Sequence, residues 1–200
     1  MLCAAAVACD SSIPDPNSAP PTLPAFTTTS APQSAPTSPK TGSDAGDGAD
    51  YSRLLLKAAD LSDAEDTFAV RSTSPVPDGL PGASALFVND EDSRAISDTI
   101  VIYPDAQTAT KTLRDSLPAI DKIVSGGTTR SVPVGADGTM AVGTTPDGSK
   151  AATLLLFTEG PALVRLEFES APGDATTDEF VVSVGKMQQI ALRTGLHPPQ

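Results

Sequence analysis

The sequence predicts an α+β domain: a mostly antiparallel, twisted sheet of about five to six strands, with two helices packed on one of its faces, behind a disordered tether. Three observations carry this prediction. Residues 130–169 hold four short segments suited to strands, separated by the turn signals Asp137-Gly138, Asp147-Gly148 and Glu159-Gly160-Pro161. Two stretches, 105–124 and 176–195, repeat apolar residues at helical spacing. Residues 10–50 contain 8 Pro, 7 Ser and 6 Thr, and their large apolar side chains are limited to Ile13, Leu23 and Phe26. Such a stretch buries too little surface to offset the entropy of ordering.

The chain divides accordingly into residues 1–9, the tether 10–50, a domain over 51–196 and a tail over 197–200. The tether should span roughly 35 Å as a flexible coil, and more where its prolines stiffen it. Its Ser/Thr-Pro clusters suit either an O-glycosylated stalk or a plain linker. At the domain's start, Leu54-Leu55-Leu56 with Ala58, Ala59 and Leu61 favours a helix by composition. Asp60 or Ser62 is then expected to cap a further helical turn through Phe68. A Pro- and Gly-rich connection over 75–82 leads to a hairpin, with strands at 84–88 and 98–103 and a polar tip, Asn89-Asp90-Glu91-Asp92.

Asp105 caps the first clear helix, whose Ala106, Ala109, Leu113, Leu117, Ile120 and Val124 share a face, and Pro118 should split it. Gly126-Gly127 is expected to end it. Strands follow at 130–134, 139–143, 151–158 and 162–169. The third is apolar at nearly every position and belongs near the sheet centre. In the fourth, Val164, Leu166 and Phe168 alternate with Arg165, Glu167 and Glu169, which predicts one wet face. Thr176 and Glu179 read as a capping box for the last helix, with Phe180, Val184, Met187 and Ala191 as its stripe. Arg193 and Gly195 mark its end.

Composition narrows the function. Lys plus Arg is 13 against 25 Asp plus Glu, a net charge of −12. That excludes the basic footprint a nucleic-acid partner requires. There is no Trp, and the single histidine, His197, lies at the C-terminus. No serine sits in a nucleophile elbow and no lysine follows a glycine-rich loop at phosphate-binding spacing. The Asn89–Asp92 tip lacks the spacing of a calcium loop. Glu167 and Glu169 are neighbours on one strand face, whereas acid–base pairs sit across a cleft in contrasting environments. A non-enzymatic protein without cofactor or metal is expected.

The natural cavity of such a domain lies between sheet and helices. Leu113 and Leu117 of the first helix are its candidate lining, with Leu155, Phe157, Val164, Leu166 and Phe168 of the sheet. Phe180, Val184 and Met187 complete it from the last helix. A small apolar or lipid-like molecule is the expected ligand. The alternative is a protein-interaction or sensor-like module working through the wet sheet face around Arg165, Glu167 and Glu169.

Ala6-Val7-Ala8-Cys9 resembles a bacterial lipobox, with Ala6 at the position usually held by leucine. The short, non-basic stretch before it looks truncated, so the start codon is expected upstream. Cys9 is then the candidate lipid attachment; a Cys3–Cys9 disulfide, free thiols or a modified Cys3 are the alternatives. With its tether and its domain rich in Ala, Asp, Val, Gly and Thr, the chain is similar to actinobacterial cell-envelope lipoproteins of mycobacterial type. Leu54-Leu55-Leu56 followed by Ala59-Asp60-Leu61 resembles the extracellular sensor domains of mycobacterial receptor Ser/Thr kinases. So do Val101-Ile102-Tyr103-Pro104-Asp105-Ala106, running into Ala109 and Leu113, and the closing amphipathic helix. Those domains carry disulfide cysteines and a tryptophan, which residues 51–196 lack, so no binding residue is carried over. The resemblance implies the fold class, and a place at the cell envelope through an N-terminal lipid anchor in the membrane. A lipid-like small molecule or an envelope protein is the expected partner, on the residues given above rather than on the resemblance.

Overall fold

A computed structural model describes residues 50–63, 66–76 and 79–196. The signal-like segment, Cys9, the tether and the tail fall outside the described residues. Among these residues seven strands form one sheet: β1 (Phe68–Ser74), β2 (Gly82–Asn89), β3 (Ala95–Ile102), β4 (Ser125–Ser131), β5 (Ala136–Thr144), β6 (Ala151–Glu159) and β7 (Ala162–Ser170). Their spatial order is β1-β2-β3-β7-β6-β5-β4, and every pairing is antiparallel. Two meanders, β1–β3 and β4–β7, thus meet where β3 pairs with β7, with Ile100 opposite Val164.

Among the described residues, three α-helices complete the α+β fold: α1 (Ala58–Leu61), α2 (Ala106–Ser116) and α3 (Asp178–Gly195). The Asp105 carboxylate caps α2 by accepting the N–H of Thr108 at 2.7 Å. Pro118 splits the helical pattern as expected, and the chain continues as a 3-10 turn over Leu117–Lys122. β6 is buried along almost its whole length and lies between β7 and β5, near the sheet centre.

Four details depart from the sequence reading. The sheet has seven strands because Phe68–Ser74 forms β1, an edge strand, where a helical turn through Phe68 was expected. Its alternation is masked: on an edge, only Phe68 of the seven residues is buried. Gly126-Gly127 does not end the helix but forms the irregular start of β4, where the register shifts. The segment Ser52–Leu61 is no continuous helix, since a 3-10 turn at Ser52–Leu54 gives way to extended backbone at Leu55 before α1. Finally, α3 starts one residue later than the capping-box reading. Thr177, not Thr176, is its N-cap, and its hydroxyl accepts the N–H of Phe180 at 3.4 Å.

The helices do not share a face. Leu154 and Leu156 of β6 join Leu113 of α2, Ile120, Val124 and Leu163 in one apolar cluster. The alternate residues, Leu155 and Phe157, join Val181, Val184 and Leu192 of α3 in the other. A strand apolar on both sides needs cover on both sides, and one helix supplies each. The leucine run at 54–56 packs with α3, so the domain's first and last segments close the same layer.

Candidate functional site

The space between sheet and helices is filled by side chains. Leu155, Phe157, Val164, Leu166 and Val184 are 0 % exposed and Phe168 is 1 % exposed. Phe180 and Met187 pack partly buried against the same cluster. Leu113 is as deeply buried, but beneath α2 on the opposite face, where Leu117 packs beside it. The predicted cleft residues are therefore divided between two layers and do not line one cavity. Arg165 also departs from expectation. It is 7 % exposed, because α2 crosses this face, and its guanidinium pairs with Glu167 at 2.7 Å.

Two depressions open beside α3. The first, about 140 Å³, is walled by the loop before β1, the start of β3, the end of β7 and the first turn of α3. Phe68, Phe168 and Phe180 line it, the last two edge-to-face with ring centroids 6.3 Å apart. Arg94 crosses it, donating to Asp66 at 3.1 Å through Nε and to Asp174 at 2.5 Å through Nη2. Asn89 braces this arrangement: its Nδ2 donates to Asp66 at 2.7 Å, and its Oδ1 accepts the N–H groups of Ser93 and Arg94. Asp63 and Glu169 add two further carboxylates to the lining. Of this lining, the sequence reading singles out Phe168 and Phe180 as cleft residues and Glu169 as part of a wet sheet face. Asp63 and Asp66 lie in the loop before β1, Glu169 near the end of β7 and Asp174 in the loop before α3, with no motif to join them.

The second depression, about 420 Å³ and more open, is a groove between residues 53–60 and α3. Leu55, Leu56, Met187, Ile190 and Ala191 give it an apolar lining, and Arg53, Lys57 and Asp60 add charge. Ile190 is 59 % exposed.

A further titratable group is fully buried and lines neither depression. Asp98 of β3 is 0 % exposed and lies on the α3 side of the sheet, opposite Leu166. Its Oδ2 accepts the N–H of Leu56 at 3.1 Å, while its Oδ1 has no hydrogen-bond partner among the described residues. Burial pushes its pKa up to about 7, only partly opposed by the Leu56 hydrogen bond. Gln188 of α3, equally buried, donates to the Leu54 carbonyl at 2.8 Å. Two polar side chains thus clamp successive parts of the segment that enters the fold.

No family model and no curated protein matches the chain. Among solved structures, it is similar to the extracellular domain of PknH from Mycobacterium tuberculosis, with a TM-score of 0.50 at 12 % identity. The match covers 72 % of this chain and 95 % of that one, and what the two share is the fold.

Proposed function

We propose that this chain is a non-enzymatic binding domain displayed at the cell envelope, sensor-like in kind, anchored in the membrane by a lipid on Cys9. The observation that carries the reading is the fold shared with the extracellular domain of PknH. The Pro/Ser/Thr-rich residues 10–50 and the lipobox-like Ala6-Val7-Ala8-Cys9 support the anchoring and the display. Labelling cells with an alkyne-tagged fatty acid tests the anchor. Wild-type protein should carry the label in the membrane fraction and Cys9→Ala should lose both; an unlabelled wild-type protein in the cytosol would reject the reading.

An amphiphilic, lipid-like ligand finds its best place in the groove beside α3, not between the layers. Leu55, Met187 and the exposed Ile190 offer apolar surface to a chain, and Arg53 and Lys57 offer charge to an anionic head. Solvent extraction of the purified protein followed by mass spectrometry should recover such a molecule from wild type and less from Ile190→Asp. A protein partner is the second reading. It is favoured by the part of the α2-side sheet face that lies over β1 and β2, where Ser72 and Ser74 are exposed and Leu86 and Val88 half-buried. Cross-linking in intact envelopes that captures one partner through this strip, and no extractable lipid, would favour it.

A further inference from the structure

We infer that the groove beside α3 docks the domain on the anionic surface of the bilayer that holds its anchor. The inference rests on the membrane anchoring proposed above and names the lipid surface as the groove's partner. What carries it is the place of the unpaired cations. Of the twelve Lys and Arg side chains among the described residues, eight are held in ion pairs by acids. Of the other four, Arg53 and Lys57 line the groove, and Lys186 stands one turn before Ile190 on α3. Lys122 alone lies elsewhere, beyond α2 on the opposite face. All three groove cations are exposed, and Arg53 is held across the groove's end by its hydrogen bond to the Gly195 carbonyl at 2.9 Å. Two acids lie beside them. Asp60 lines the groove and accepts the backbone N–H of Lys57 at 2.9 Å, and Asp50 accepts from Ser52. Glu159 is answered by Arg193 at 3.2 Å. Three cations against two acids leave the patch positive in a chain of net charge −12, so this side can approach an anionic surface against the overall repulsion. The apolar part sets the depth: Ile190 is 59 % exposed beside the half-buried Met187 and Ala191, which suits shallow insertion at the headgroup level. The Pro/Ser/Thr-rich residues 10–50 enter the domain at this same place, three residues before Arg53. Read from its composition, that stretch reaches roughly 35 Å. It would hold the groove at an effective concentration on the order of millimolar over the surface. There a few contacts suffice, each Lys or Arg raising the affinity about fivefold.

The test fixes the ¹⁵N-labelled full chain to nanodiscs. Cys3→Ser leaves Cys9 the one thiol, and a maleimide lipid joined to it replaces cellular acylation, so the outcome is separate from that of the fatty-acid labelling. Discs of phosphatidylglycerol and of phosphatidylcholine are compared, each carrying a gadolinium-chelate lipid that broadens nearby amides. On phosphatidylglycerol the broadening should centre on Lys57, Lys186, Ile190 and Thr194. It should be lost on phosphatidylcholine, and in about 1 M sodium chloride, where the screening length is about 3 Å. Lys57→Ala and Lys186→Ala should each lower the ratio of docked to free domain about fivefold, whereas Lys122→Ala should leave it unchanged. Equal broadening on the two kinds of disc would overturn the inference, as would broadening centred on Lys122 or on β1. So would equal effects of the three lysine exchanges. Absence of broadening at α3 on either disc would also overturn it, and would leave the groove to a soluble ligand or to a second copy of the chain. Amide dispersion of each variant, recorded in the same spectra, separates lost docking from lost fold.

Discussion

The Asp98 carboxylate and the Leu56 amide, 42 residues apart, meet at 3.1 Å in a fully buried contact that joins the segment entering the domain to the third strand. Desolvation there raises the carboxyl's pKa from the usual 3.8 to about 7. The folded state therefore holds a proton that the unfolded chain has released, and stability falls as pH rises between those values. The expected slope from this group is about 1.4 kcal/mol per pH unit. Chemical denaturation at several pH values should show wild type losing stability relative to Asp98→Asn from about pH 4 to 7. The difference should be flat above that range; a difference flat throughout would show an ordinary carboxylate.

Leu54, Leu55, Leu56 and Leu61 are all buried, although they directly follow the tether. Removing residues 1–49 should leave the midpoint of thermal unfolding unchanged, whereas removing residues 1–61 should abolish cooperative unfolding or lower it sharply. Leu54→Ala alone should cost about 2–5 kcal/mol, read by urea unfolding.

Gly185 sits on the buried side of α3. A Cβ there would lie 2.5 Å from Leu155 Cδ2 and 3.0 Å from Val134 Cγ1. Alanine gains about 1 kcal/mol of helix propensity, but forcing a methyl into this packing costs about 1–3 kcal/mol. Leu155 and Val134 are themselves fully buried and have little room to yield, so Gly185→Ala should be net destabilising in the same urea assay.

Two adjacent threonines test the start of α3. The Thr177 hydroxyl makes the cap, so Thr177→Ala should cost about 1 kcal/mol. Thr176→Ala should cost clearly less, and the reverse order would restore the capping box inferred from sequence.

The sequence pattern led directly to α2, to β5–β7 and to the central place of β6, because these elements bury their faces locally and announce their periods. Asp105 shows the same legibility: its cap is a contact three residues long. β1 was hidden because an edge strand with one buried residue has no apolar alternation to read. The leucines at 54–56 advertised burial, but whether they formed a helix depended on partners in α3 and β3 more than 40 residues away.

By itself the sequence determined the α+β class, the acidic surface, the Pro/Ser/Thr-rich approach to the domain and the absence of a histidine from residues 51–196. Each of these is a matter of composition or of spacing within one element. Only the tertiary structure decided that α2 and α3 cover opposite faces, so that Leu113 and Phe157, read as walls of one cavity, became cores of two layers. It alone gathered Asp66, Arg94, Asp174 and Phe180 around one cleft. A hydrophobic period tells a residue to be buried but not against what. A charged side chain in a loop carries no period at all, so its neighbours are set by where the sheet brings the loop ends together.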